Sequence, residues 1–361
     1  MTTLSSIHSP AQSTQELSVQ EVSVSYGNTT IVKDINFTLK MGEIGCFLGP
    51  SGCGKSTLLR AIAGFENLSQ GRIVLDSEML STSNAVVAPE KRCMGMVFQD
   101  IALFPHLTVR ENIEFGIRSW SKKQKQERVS YLLGLVNLTG FENRYPDSLS
   151  GGQQQRIALI RAIAPKPKLL LMDEPFSGLD AKLREELVPD VRNILLHENI
   201  RAILVTHDQM EAFAMADHIA ILNQGQVHQS ASAYMIYHNP ATRFVAEFIG
   251  YGDFLPAKVC DEFKVKSDLG TVGSEKKHGF NVGDEVDLLI RPDDVLHDDD
   301  SEFVGLIVSR WFRGSHFLYR VKLQSGKIIY CFASSHHDHS VGQTIGLRVN
   351  LDHLVLFEKK E

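Results

Sequence analysis

The run Gly49-Pro50-Ser51-Gly52-Cys53-Gly54-Lys55-Ser56, followed by Thr57, constrains this chain more than any other feature. Its glycines let the backbone turn N–H groups inward and approach an anion's oxygens closely. EIGCFLG precedes it, a short continuous apolar stretch of the kind buried on both faces of a sheet. The helical pattern TLLRAIAG follows. Strand, glycine loop and helix in immediate succession is the context a phosphate-binding loop requires. The helix would set its positive end beneath the phosphates. Lys55 would then face the β- and γ-phosphates of a nucleoside triphosphate and the Ser56 hydroxyl a Mg2+ ion. A glycine-rich turn that binds nothing is the plain alternative, and the flanking pattern argues against it.

A second buried-strand run, Leu169-Leu170-Leu171-Met172-Asp173-Glu174, ends in two acids. A strand end delivers a carboxylate without a flexible linker, so Asp173 is a candidate metal ligand and Glu174 stands where it would polarise an attacking water. Acids at strand ends also cap the next helix, and for this pair alone that reading stays open. RAILVTH, QMEAFAMA and HIAIL continue the alternation of strand and helix, which implies a parallel α/β sheet with right-handed crossovers. Ahead of the loop, LSVQEVSVSY and TIVKDINFTLK alternate apolar and polar residues as half-buried antiparallel strands do. From Leu107 to Ala164 helical periodicity dominates, as in an insertion between two strands of the core sheet.

Leu149-Ser150-Gly151-Gly152-Gln153 opens a strong helix with a hydroxyl and N–H groups suited to an anion. It cannot serve the same phosphates as the loop at Gly49 unless it comes from another chain. In these motifs the sequence resembles the ATP-binding-cassette ATPases, whose signature is LSGGQ. The resemblance implies a head-to-tail homodimer in which Ser150, Gly151, Gly152 and Gln153 complete the partner's ATP site. It also implies ATP and Mg2+ as cofactors, Tyr26 stacked on adenine, Gln99 reaching Mg2+ and water, Asp180 at the dimer interface, and His207 beside the γ-phosphate. Glu174, His207 and Gln99 are then the catalytic candidates, and Ser56, Gln99 and Asp173 the metal candidates. A strand-surface tyrosine, a hydrogen-bonded glutamine and a structural histidine are the plain alternatives. The expected fold class is α/β: a P-loop NTPase core with antiparallel β and helical subdomains (the latter about 100–165), then a small all-β domain.

After about residue 240 the pattern shifts to short strand-like runs, DEVDLLI, VGLIVSR, HFLYRVKL, KIIYCF and TIGLRVNL, as in a small β-barrel. Expected bounds are a flexible tail over 1–16, the cassette over 17–240 and the β-domain over 241–361. FIGYGDFLPAKV and LLIRPDDV resemble the TOBE-type domain of importers, with wording nearest to ferric-iron importers. Polyamine, phosphonate, sulfate and sugar importers are the alternatives, and a non-transport cassette ATPase is a further one. The resemblance implies two integral-membrane permease subunits, a periplasmic or surface solute-binding protein, and a place at the cytoplasmic face of the inner membrane. No apolar run approaches the ~20 residues that span a bilayer. A net charge of -6 disfavours nucleic acid as a partner. Five cysteines without a CxxC pair point to a reducing compartment. Cys53 is a small filler whose position would expose the site to thiol reagents. Asp298–Asp300 and the run Ser334–His339 offer metal ligands but read as solvated polar loops.

Overall fold

The computed structural model describes residues 15–351 and 353–359. The expected tail therefore lies outside the described residues up to 14, and its last position, Glu16, already belongs to a strand. The chain divides into two compact units that meet between Ala233 and Tyr234.

In the first unit, β1 (Glu16–Tyr26) and β2 (Thr29–Lys40) pair antiparallel around a Gly27 turn at φ 58°. Then come β3 (Ile44–Leu48), α1 (Lys55–Ala63), β4 (Gln70–Leu75), β5 (Glu78–Thr82) and β6 (Met94–Val97). The helical segment carries α2 (Val109–Glu114), α3 (Lys122–Leu135) and α4 (Gly151–Ile163). Each of these opens with a reciprocal capping box, Thr108/Glu111, Ser121/Gln124 and Ser150/Gln153, so three short sequences set three helix starts. β7 (Leu169–Asp173), α5 (Ala181–His197), β8 (Arg201–Thr206), α6 (Gln209–Met215), β9 (His218–Asn223) and β10 (Gln226–Ala231) complete the unit.

The strands form two sheets, β2-β1-β4-β5 and β10-β9-β3-β8-β7-β6. In the second sheet β3, β7 and β8 are buried along their whole length, which is why they read as unbroken apolar runs. One hydrophobic core joins the inner face of the antiparallel sheet, the apolar face of α1 and the parallel strands; Phe37 and Phe47 meet edge to face in it at 5.0 Å.

The second unit begins within α7 (Ala233–His238), carries α8 (Arg243–Phe248) and, among the described residues, continues through ten strands. These are β11 (Asp253–Val259), β12 (Lys264–Ser267), β13 (Gly270–Gly273), β14 (Glu285–Ile290), β15 (Val295–His297), β16 (Val304–Phe312), β17 (His316–Lys322), β18 (Ile328–Ser334), β19 (Thr344–Val349) and β20 (Leu356–Glu358). β15-β18-β17-β16-β19 close a barrel, and β13-β12-β11-β14-β20 form an open sheet. The strand-like runs read from the sequence are β14, β16, β17, β18 and β19. β12, β13, β15 and β20 escaped because three or four residues are too short to show a period of two.

Candidate nucleotide site

The geometry begins with strand register. Leu48 lies beside Thr206, Asp173 beside Val205 and Val97 beside Met172, on four neighbouring parallel strands. Gly49, His207 and Glu174 therefore leave the sheet along one edge, and Gln99 follows two residues beyond Val97. The carboxyl ends of parallel strands are where open α/β sheets hold ligands.

The glycine loop is shaped by space and by backbone sign. Gly52 and Gly54 sit at φ 78° and 103°, in the region that favours glycine. A Cβ on Gly49 would lie 2.2 Å from the Leu222 carbonyl oxygen and 2.9 Å from Cys53 Sγ. Lys55 is buried, and its ammonium donates to the Gly49 and Pro50 carbonyls at 2.8 and 2.9 Å. Among the described residues it makes no carboxylate contact, so the loop concentrates positive charge where α1 begins, which suits a polyphosphate. The Ser56 hydroxyl donates to Asp173 Oδ1 at 2.8 Å, tying the two halves of the site together. A hydroxyl and a carboxylate are hard oxygen donors, and they fit Mg2+. Burial pushes the Cys53 thiol above its ordinary range despite the nearby Lys55 charge. The side chain is also buried, and both features act against the expected sensitivity to thiol reagents.

Glu174 stands directly after β7 at φ 44°, an uncommon conformation for a residue with a Cβ, held by its N–H bond to the Val205 carbonyl at 2.9 Å. Its Oε1 lies 3.3 Å from His207 Nδ1. Behind them is a network that reading the sequence did not find. The Thr206 hydroxyl donates to Glu211 Oε2 at 2.6 Å, and Arg184 of α5 reaches Glu211, Asp208 and the Leu179 carbonyl at 3.3, 2.8 and 3.1 Å. Asp208 accepts from Met210 and Glu211 N–H and so caps α6. Burial raises the Glu211 carboxyl above the usual range, against the opposing bond from Thr206 and the charge of Arg184. The available signal was one acid inside the otherwise apolar face of QMEAFAMA.

Other candidates lie apart from this cluster. Among the described residues no hydrogen bond joins Ser150–Gln153 or Asp180 to the glycine loop. Ser150 Oγ accepts from Gln153 N–H and Gln153 Oε1 from Ser150 N–H, so the serine hydroxyl is a helix cap as well as a potential donor. Gly152 packs on α5, where a Cβ would meet Leu183 Cδ2 at 2.8 Å. Asp180 caps α5 by accepting from Leu183 N–H at 3.0 Å. Gln99 is exposed. Tyr26, half exposed at the end of β1, stands beside the first turn of α1: Glu66 raises its hydroxyl pKa first, burial adds to this, and Thr57 opposes it.

The ABC transporter family matches residues 32–177, a span holding the glycine loop, both acids at the end of β7 and the LSGGQ motif. The TOBE domain family matches residues 288–357. The chain is 40% identical over 349 residues to the spermidine/putrescine import ATP-binding protein PotA of Clostridium acetobutylicum, covering 96% of this chain and 97% of that protein. The chain belongs to the ABC transporter ATPase family. PotA of Haemophilus ducreyi is 40% identical over 349 residues (91% and 93% covered). The sulfate/thiosulfate import ATP-binding protein CysA of Synechocystis sp. is 38% identical over 336 residues (92% and 91%). Among solved structures, cbiO1 of Clostridium perfringens, part of the ABC transporter complex cbiONQ, aligns with a TM-score of 0.58 at 27% identity, over 64% of this chain and 93% of that one.

This ABC ATPase therefore has the expected fold class, a P-loop cassette followed by an all-β TOBE domain. The ferric-iron wording finds no support in these relatives, and the polyamine alternative fits them better. The wording that suggested iron runs through a chain that importers named for polyamine and for sulfate match over more than nine-tenths of its length, so it does not discriminate the solute. Among the described residues no helix is long and apolar enough to cross a membrane.

Proposed function

We propose that this chain is the ATP-hydrolysing subunit of an import complex, acting as a nucleotide-sandwiched homodimer, and that the solute is a polyamine. The observation carrying the hydrolytic reading is the placement of Glu174, paired with His207, on the same sheet edge as the Ser56–Asp173 link and the glycine loop.

Each residue's part is read from that geometry together with the family resemblance. Lys55 and the loop N–H groups neutralise the phosphates. Ser56 and Asp173, with Gln99 from the segment after β6, would hold Mg2+, which would supply positive charge to offset that of the phosphates. Glu174 accepts the hydrogen of the attacking water, and His207 fixes the carboxylate's direction. Arg184, Asp208 and Glu211 act as positioning residues, because they lock the turn that carries His207 to α5. Tyr26 stacks on the base. The signature packs on its own α5, and in the dimer reading Ser150, Gly151, Gly152 and Gln153 serve a second subunit's phosphates. Asp180, at the head of α5, belongs to the same interface.

The import reading rests on relatives similar from end to end and named for spermidine/putrescine import. It implies two permease subunits, a solute-binding protein and a peripheral place at the cytoplasmic face of the inner membrane. Sulfate is the second reading, supported by the similarity to CysA. Cells lacking the gene, rescued with the wild-type chain or Glu174→Gln, are tested for uptake of labelled spermidine, sulfate and ferric iron. Restored spermidine uptake by the wild type alone supports both the solute and the role of Glu174. Dependence of sulfate or iron uptake instead overturns the polyamine reading and leaves the ATPase intact. Purified Glu174→Gln that still hydrolyses ATP at the wild-type rate refutes the assignment of Glu174.

A further inference from the structure

Three histidines meet at one end of the barrel. His297 closes β15, and His337 and His339 lie on the loop between β18 and β19. One ring nitrogen from each lies within 4.8 Å of the other two. The His297 ring centroid is 4.7 Å from that of His337 and 4.6 Å from that of His339. The His297 side chain is only 5% exposed. Its Nε2 is buried without a hydrogen-bond partner, and so is Nε2 of His339. Buried ring nitrogens normally find a partner, and two without one in a single histidine cluster call for a ligand.

The loop is built to present these rings. The Tyr319 hydroxyl, on a fully buried side chain in the barrel core, donates to the His337 carbonyl at 2.5 Å and accepts from His339 N–H at 3.1 Å. Arg310 donates to the His339 carbonyl at 2.8 Å and pairs with Asp338, which ties the loop to β16. Asp299 faces the cluster, with Oδ1 3.0 Å from His297 Nε2 but outside hydrogen-bonding geometry. The loop is thus more than the solvated polar run expected from Ser334–His339.

We propose that His297, His337 and His339 form a site for a borderline divalent transition-metal ion, Zn2+ foremost, with the fourth position open to water. Imidazole nitrogens select such ions over Mg2+ and Ca2+. A tetrahedral zinc with bonds near 2.0–2.1 Å sets its nitrogens about 3.3 Å apart, so the rings close in slightly on binding. His337, the exposed member, has the freedom to make that movement. The site lies wholly within the second unit and is independent of the transport reading.

Chelator-treated full-length protein is titrated with ZnCl2 in excess MgCl2 without nucleotide, using a competing chromophoric chelator, and then with Co2+ to read its visible spectrum. The expected result is one Zn2+ per chain that Mg2+ does not displace, and a tetrahedral Co2+ spectrum. His337→Ala, on an exposed side chain, leaves the metal-free melting temperature unchanged and weakens binding by at least about 100-fold. Tyr319→Phe, which removes both hydroxyl bonds to the loop, weakens it by about tenfold. Zinc binding in the wild type no tighter than in a folded His337→Ala, or displaced by Mg2+, overturns the proposal.

Discussion

Alanine at Gly49 separates the two reasons for glycine in a phosphate loop. Gly49 does not have a positive φ, so backbone strain is no obstacle there. Space is the obstacle: the new Cβ would sit 2.2 Å from the Leu222 carbonyl oxygen. Carbon and oxygen come no closer than about 3.3 Å even in a favourable C–H···O contact, so the two segments must part by about 1 Å. β9 is held between β3 and β10 and cannot retreat, so the loop yields. Overpacking of this kind costs about 1–3 kcal/mol. For a unit of this size that lowers the melting temperature by roughly 2–12 °C. A misplacement of about 1 Å in the phosphate cradle costs about 100-fold in hydrolysis. Gly52 is the control: it sits at φ 78°, and a methyl group added there would have no atom within 4 Å. There alanine meets only left-handed strain of about 1–2 kcal/mol, or about tenfold. Phosphate release, titration with a fluorescent ATP analogue and thermal unfolding read the three quantities. Wild-type activity and melting in Gly49→Ala, or equal losses in both variants, would refute the steric argument.

Arg92 is 2% exposed and donates to the carbonyls of Val87, Ala61, Ile62 and Leu80 and to Ser81 Oγ. Arg92→Met strands those acceptors and lowers stability by about 3 kcal/mol or more, read by urea unfolding. Glu211, whose folded pKa is raised, contributes stability that is full below the unfolded glutamate value and is lost as pH rises through the folded value. The stability of Glu211→Gln relative to wild type therefore climbs with pH across that window; a flat difference in melting temperature between pH 4 and 8 would count against it. Cys93 and Cys260 are exposed, whereas Cys46, Cys53 and Cys331 are buried, the last pushed up to about 12. An aromatic disulfide reagent should titrate the first two in the native protein and the other three only after denaturation, as mass spectrometry of labelled peptides would show.

What was legible in the sequence was whatever is encoded in short contiguous runs. The glycine loop, the apolar strands ending at Leu48, Asp173 and Thr206, and the capping boxes are local, because backbone sign, burial on two faces and helix starts each depend on a few adjacent residues. Helix α5 over Ala181–His197 follows from the same local signals. Less was legible where contacts join distant positions. Arg184 reads as one more charged residue on a helix until the fold sets it against Asp208 and Glu211. His297 falls in none of the strand runs read from the sequence, and only the folded barrel sets it against His337 and His339.

By itself, then, the sequence determined the chemistry at each strand end and the class of core that carries it, since period, apolar run length and glycine placement act over less than a turn or a strand. Tertiary structure decided which of those ends meet. The parallel register of β3, β8, β7 and β6 brings Ser56 to Asp173 and Glu174 to His207, and barrel closure brings β15 to the β18–β19 loop. Such meetings depend on pairing across tens to hundreds of residues, and no window along the chain contains them.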